Sequence, residues 1–237
     1  MRHRIIGLKG AIMRLLALSD FVSTGWPVNN NAVQALVQGI LTTQGDVFAR
    51  HGITEDIHIV HLMAQLSHES GEGTEMTESL DYKPAALLKE WPGHFTPTQA
   101  MDNGRTAEHP ANQKMIAELA YGGRMGNAPA PSEDGFNYRG RGFIQTTGKN
   151  GYAELAKSTG LDLVDSPDLV NDPAHAFECA VAEFAHYPGM LAHCEADDLL
   201  AVSSLINLGH LVNNPNDITG YQDRAAQLSL WKHRYGI

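Results

Sequence analysis

The sequence predicts a mainly α-helical protein with a small hairpin or loop region. Three observations carry that expectation. Apolar residues recur at three- and four-residue spacing in most segments. Helix start and stop signals flank several of those segments. The composition, 43% hydrophobic and 19% charged, is that of an ordinary soluble globular chain. The 237 residues suit one domain, or a domain with a small appendage, and can bury a sizeable core without staples. No internal repeat or low-complexity segment is present.

Met1 to Ser19 has the basic residues and apolar stretches of a signal sequence. Lys9 and Arg14 interrupt the apolar run, however, and no small-residue cleavage site follows. Residues 1–28 are therefore expected to be a non-cleaved lead or appendage, helical or disordered, with Met13 as an alternative start. Residues 29–50 form the first strongly periodic helix, with Val33, Leu36, Val37, Ile40, Leu41, Val47 and Phe48 on its apolar face. Thr54 is the expected N-cap of the next helix, with Glu55 and Asp56 in a first turn where the helix dipole favours acids. Ile59, Leu62, Met63 and Leu66 make its buried face, and Gly71 ends it. Residues 71–82 read as a loop or short hairpin, 83–90 as a helix, and 91–110 as an irregular connection. A helix near 111–120 precedes the glycine-dense stretch 121–151. Glycines set among Phe and Tyr mark close backbone approaches there rather than a linker. Helices near 150–159, 173–186, 197–207 and 217–233 complete the chain, with Pro167 and Pro173 bracketing one turn.

The net charge of -10 argues against nucleic-acid binding, which shows a basic excess or stripe. The basic clusters, Arg2, Arg4, Lys9 and Arg14 at one end and Lys232, His233 and Arg234 at the other, read as solvated termini. No run is long enough to span a membrane, so stable insertion is not expected. Cys179 and Cys194 make no disulfide framework; one bridge or two free thiols are both open. His58, His61 and His68 can share a helix face. A zinc protease needs His-Glu-x-x-His, and here the fifth position from His68 is Glu72. They read as surface or cleft histidines, and no metal or other cofactor is expected.

Glu69 closes the 54–70 helix, where carbonyl dipoles disfavour negative charge, a suitable place for a carboxyl that must hold a proton. Glu78 follows nine residues on. Extended, that segment would reach about 30 Å, so the chain must fold back, and Gly71 and Gly73 allow it. Hydrolysis of a glycosidic bond with inversion uses two such carboxyls, roughly 6.5–9.5 Å apart: one donates a proton, the other activates water. Glu72 and Glu75 compete for either role on spacing alone.

The surrounding residues are more specific. Gln65-Leu66-Ser67-His68-Glu69-Ser70-Gly71 followed by Glu78-Ser79-Leu80-Asp81-Tyr82 resembles the catalytic segment of glycoside hydrolase family 19, in the short-gap form of phage endolysins. Tyr121-Gly122-Gly123-Arg124-Met125-Gly126-Asn127 is similar to the endolysin segment of a tyrosine, two residues, then Arg-Met-Gly-Asn. Tyr138-Arg139-Gly140-Arg141-Gly142-Phe143-Ile144-Gln145-Thr146-Thr147-Gly148 resembles the family's Gly-Arg-Gly, aliphatic-Gln, Ser/Thr signature. Leu163-Val164 to Asn171-Asp172-Pro173 resembles a family spacer, and Ile206-Asn207 with Arg224 resembles the closing motif. These fall in family order from about residue 52 to 230.

The resemblance implies a lysozyme-like, two-lobed helical domain over 29–237, with the 121–151 stretch lining a cleft. It implies Glu69 as general acid, Glu78 as general base, and Thr147 as the hydroxyl that helps hold the water. Gln145 and Asn207 match polar groups of the substrate cleft, and Tyr138 matches a cleft aromatic. Arg141 and Arg224 match arginines near the carboxylates, and His68 orients the surroundings of the acid. Each also has a plainer reading. Arg141 with Gly140 and Gly142 can simply build the fold, Gln145 and Asn207 can be structural hydrogen-bonders, and Thr147 a strand or turn residue. The sequence departs from the family at Asn150-Gly151, at Leu208 and at Glu72-Gly73, which bears on substrate preference. The implied substrate is a β-1,4-linked N-acetylhexosamine polymer, peptidoglycan or chitin. The endolysin form implies a monomeric wall hydrolase made in a bacterial cytoplasm, acting at the wall or periplasm with a separate holin for delivery. The other classes are a non-catalytic sugar binder on the same fold and a wall metallopeptidase.

Overall fold

The computed structural model describes residues 4–6 and 12–237. Two short strands, β1 (Arg4–Ile6) and β2 (Ile12–Arg14), pair antiparallel. The helices follow in order: α1 (Leu18–Ser23), α2 (Asn31–His51), α3 (Asp56–Glu69), α4 (Pro84–Glu90), α5 (Pro97–Asn103), α6 (Gln113–Tyr121), α7 (Asp134–Asn137), α8 (Gly148–Thr159), α9 (Ala176–His186), α10 (Met190–Glu195), α11 (Leu199–Leu208) and α12 (Tyr221–Tyr235). Short 3₁₀ turns occupy Pro167–Asn171 and Pro215–Asp217. The protein is mainly α-helical, as the sequence predicts. Among the described residues, no helix is long and apolar enough to cross a membrane.

Three local expectations are corrected and a fourth is settled. The lead is not wholly helical or disordered: it contains β1 and β2, where Ile5, Ile6 and Ile12 supply β-branched residues suited to strands. The 91–110 connection contains α5. There Thr96 Oγ1 accepts from Gln99 N–H at 3.1 Å, Gln99 Oε1 accepts from Thr96 N–H at 2.9 Å, and Pro97 sits in the first turn. Thr54 does not cap α3; Glu55 precedes it without a side-chain cap. Residues 71–82 take the loop form of the loop-or-hairpin expectation. Gly71, Glu72 and Gly73 take left-handed φ of 51°, 51° and 82°, and Thr77 then bridges to Arg141.

The chain divides into two compact units, each assembled from separated stretches. Unit 1 comprises Met1–Met76, Gly142–Ile144 and Val170–Ile237. Its centre is α3, whose Ile59, Val60, Leu62, Met63, Ala64 and Leu66 are all fully buried. Helix α3 packs against α12, α10, α11 and α9, and α2 packs along α9. Residues from Met13 onward, in the stretch read as a lead or appendage, belong to this core: Met13, Leu16, Phe21 and Trp26 are buried in it. Phe21 meets Trp26 and Trp231 edge-on at 5.1 and 5.7 Å, and burying such a ring is worth about 1.5–3 kcal/mol. Ser67 Oγ accepts from both indole N–H groups at 3.0 Å, so neither is left unsatisfied.

The basic ends are not simply solvated. Asp20 is fully buried and takes Arg14 Nη1 at 2.9 Å, Arg234 Nε at 2.6 Å and the Ala17 N–H at 2.7 Å. Lys232 pairs with Asp197. Of the N-terminal basic cluster, Arg2 and Lys9 lie outside the described residues, as do residues 1–3 and 7–11 of the lead.

Unit 2 comprises Thr77–Arg141 and Gln145–Leu169. Its smaller core joins Leu80, Leu87, Phe95, Ala100, Ile116, Ala117 and Ala120, with α4, α5, α6, α7 and α8 packed in sequence. Asn127 ties the glycine-dense stretch together: its Nδ2 donates to Tyr121 O at 3.0 Å and its Oδ1 accepts from Lys149 N–H at 2.9 Å. The Arg-Met-Gly-Asn segment thus anchors the end of α6 to the start of α8.

Candidate active site

Unit 1 presents Glu69 as the last residue of α3. Its Oε1 meets Arg224 Nη2 at 2.5 Å. Arg224, on α12, is 1% exposed, and its other donors are engaged: Nη1 with Gln65 Oε1 at 2.5 Å and Nε with Thr219 O at 3.1 Å. Asn207, half-buried near the end of α11, accepts from Thr219 N–H at 2.9 Å. Asn207 therefore fixes Thr219, whose carbonyl accepts from Arg224, and Arg224 in turn holds Glu69. Gln65 Nε2 continues the chain to Ser203 Oγ at 3.3 Å. His68 Nδ1 lies 2.6 Å from Asp223 Oδ2. The His68 ring fills the space a side chain on Gly220 would need, so glycine is required there by close approach as well as by its φ of 68°.

Glu72, one turn beyond Glu69, accepts from Gln227 Nε2 at 2.6 Å. Burial pushes its carboxyl above the usual carboxylate range; the Gln227 bond opposes that and the Asp223 charge adds to it.

Unit 2 presents Glu78 on the loop between Thr77 and α4. Its N–H donates to Gly140 O at 2.9 Å, and its Oε2 accepts from Gly140 N–H at 3.2 Å. Its Oε1 accepts from Tyr121 Oη–H at 2.6 Å. Gly140 is the hub of this half. A Cβ placed on it would come within 3.0 Å of Gln145 Oε1 and 3.3 Å of both Glu78 Cβ and Thr147 Oγ1. The structure thereby gathers Glu78, Gln145 and Thr147, three residues singled out in the sequence, around one side-chain-free backbone position. Thr147 Oγ1 donates to Gln145 O at 2.8 Å, leaving its oxygen as an acceptor. Gln145 itself holds a left-handed φ of 60°.

Two further sequence-selected residues are tied into the fold around Gly140 and Thr147. Tyr138 is buried, its hydroxyl donates to Val164 O at 2.8 Å and its ring packs on Tyr152. Arg141 is also buried. It reaches Asn137 O at 2.5 Å, Tyr152 Oη at 3.2 Å and Asp168 at 3.1 Å, and its backbone bridges both Thr77 and Thr146. Both bonding patterns are those of fold-building residues. Glu78 instead feels the charge of Arg139, which stacks over Phe136 at 4.0 Å. Burial, then the Arg141 charge, lowers the Arg139 pKa. Tyr121 and Arg139 are the residues that sequence reasoning passed over, although each stands in a quoted motif segment.

His58 and His61 are buried, which corrects their reading as surface or cleft groups. His61 Nε2 pairs with Asp197 at 3.0 Å and His58 Nε2 with Glu195 at 3.5 Å. Among the described residues, no group of His, Cys, Asp and Glu has the arrangement of a metal site. Cys179 and Cys194 are free and buried, and burial pushes both thiols up to about 12.

No protein-family model matches the sequence. A glycosyl hydrolase family 19 domain-containing protein of Haemophilus influenzae is 31% identical over 127 residues, covering 54% of this chain and 61% of that protein. The chain thus aligns with less than two thirds of that curated relative. Among solved structures, chitinase C from Streptomyces griseus HUT6037 superposes with a TM-score of 0.55 at 19% identity, covering 93% of this chain and 92% of that one. A point mutant of chitinase C gives the same TM-score and coverage at 17% identity. At these identities the superpositions establish a shared fold. The chain is therefore similar in sequence to a glycosyl hydrolase family 19 domain-containing protein and shares its fold with the chitinases.

Proposed function

We propose that the protein is an inverting endo-glycoside hydrolase that cleaves β-1,4 bonds of an N-acetylhexosamine polymer, with peptidoglycan as its substrate. One observation carries the reading: both motif glutamates are held by dedicated donors, Glu69 by buried Arg224 and Glu78 by Tyr121 and the Gly140 N–H. Preorganisation of this kind is what acid–base catalysis requires of its carboxyls.

In this mechanism Glu69 donates a proton to the leaving glycosidic oxygen. Its Oε1 is engaged by Arg224, so Oε2 is the oxygen that carries the proton. Glu78 accepts a proton from the attacking water. Because the Thr147 hydroxyl hydrogen points to Gln145 O, Thr147 can only accept from that water. One water hydrogen is then directed to Thr147 and the other to Glu78, leaving a lone pair for attack on the anomeric carbon. No cofactor takes part. The Arg-Met-Gly-Asn segment supports a wall polymer as substrate, in the manner of an endolysin delivered by a separate holin. A chitin substrate is the second reading, supported by the chitinase relatives in fold.

The test is digestion of purified peptidoglycan and of a chitin oligomer by wild type, Glu69→Gln and Glu78→Gln, with products read by mass and reducing ends. New reducing ends from peptidoglycan alone, abolished by Glu69→Gln and strongly reduced by Glu78→Gln, are expected. Cleavage of chitin alone moves the substrate to chitin. No new ends from either polymer sinks the hydrolase reading and leaves a sugar binder or a peptidase.

A further inference from the structure

We propose that Tyr121 is a positioning residue for Glu78, holding its Oε1 so that the carboxylate meets the attacking water in one orientation. The inference rests on the hydrolase reading above. Tyr121 is the last residue of α6, and its hydroxyl donates to Glu78 Oε1 at 2.6 Å, at the short end of the range for a charge-assisted bond. Oε2 is held separately by the Gly140 N–H at 3.2 Å. Two fixed points on one carboxylate remove rotation about its terminal torsion, which is otherwise broad. Each oxygen has two acceptor sites, so a site on each remains for water.

The phenol is itself braced. Its ring meets Trp91 edge-on at 6.0 Å, and Trp91 meets Tyr82 and Phe95 at 5.1 and 6.1 Å. Asn127 Nδ2 holds the Tyr121 carbonyl. Burial, then the Glu78 charge, raises the Tyr121 pKa far above the usual phenol range, so the hydroxyl stays a donor throughout the range in which a carboxylate base works. It cannot exchange roles with Glu78 and serves only to orient it. The groups around Glu78 within unit 2 include Tyr121, Tyr82, Arg139 and the Gly140 amide, with Gln145 and Thr147 across Gly140. Tyr121 touches the carboxyl through its side chain and Gly140 through its backbone amide.

The test is Tyr121→Phe, which keeps the ring against Trp91 and deletes one oxygen. Unchanged circular dichroism and a similar melting temperature would confirm that the variant folds. The expected result is a fall in kcat of about tenfold or more with KM little changed, from loss of one charge-assisted bond. The acid limb of the pH–rate profile is expected to move to higher pH, because the deleted bond favours the ionised carboxylate. A purely structural tyrosine would lower the melting temperature and leave the profile in place. If wild type is active and Tyr121→Phe keeps both its rate and its acid limb, the positioning role is overturned and the hydrolase reading stands. If wild type itself releases no reducing ends, both are overturned together.

Discussion

Arg224 has Nε, Nη1 and Nη2 engaged at once, with Thr219 O, Gln65 and Glu69, while only 1% exposed. Removing a guanidinium from such a site strands a carboxylate and an amide. Arg224→Met is expected to lower the unfolding free energy by about 3–5 kcal/mol, toward the lower end because Glu69 retains some solvent access. Urea unfolding checks this, and a loss below about 1 kcal/mol would show that the pair contributes little beyond packing. At this scale the sequence picked out candidate residues more readily than the contacts they make. Glu69, Glu78, Gln145 and Thr147 were legible because motif order picks them out. Arg224 was also expected near the carboxylates and lies on Glu69, but the partner of Glu78 was not foreseen. Arg141, read either as a cation near the carboxylates or as a builder of the fold, pairs with Asp168, and Tyr121, 43 residues from Glu78, holds that carboxylate. Contacts at such separation depend on how α6 returns to the loop, and no local pattern encodes that.

Helix α3 is the element on which unit 1 is built, and it carries two buried histidines on its length. Burial lowers the His61 pKa; the Asp197 hydrogen bond and charge oppose this, and the Lys232 and His58 charges reinforce it. Its Nδ1 has no hydrogen-bond partner among the described residues. With the folded pKa below the ordinary histidine value of 6.5, the unfolded chain binds more protons just below that pH. Stability is therefore expected to fall as pH drops from about 6.5 toward the lowered folded value. His61→Gln is expected to flatten that dependence, read as urea midpoints at pH near 7.5 and 5.5; parallel slopes for the two proteins would exclude His61 as the cause. Long periodic helices such as α2 and α3 were legible to within two residues at each end. Helices α5 and α10, seven and six residues long, were not, because so few residues cannot establish a period. The Thr96–Gln99 box was nevertheless visible in the sequence and sufficient to place the start of α5.

Each unit is stitched from distant stretches, so the chain cannot be cut at residue 28 without cost. Leu16, Phe21 and Trp26 are core residues of unit 1, and Trp26 shares Ser67 with Trp231 from the far end of the chain. A protein lacking residues 1–28 is expected to lose cooperative thermal unfolding, followed by circular dichroism. A sharp melt near the wild-type temperature would show the segment to be dispensable. Sequence reasoning placed a boundary there because the strongly periodic pattern begins at residue 29. A short, aromatic-bearing segment announces its burial only through the partners it meets. Overall helical content, by contrast, was plain from apolar spacing and caps alone.

The shared grip of Arg14 and Arg234 on Asp20, with Arg14 lying 3.8 Å over the Tyr235 ring, also has a topological consequence. It makes Arg14 and Arg234, 220 residues apart in sequence, spatial neighbours. Closing so long a loop costs little more chain entropy than closing one of half the length, and the Asp20 junction is the clasp that holds it shut.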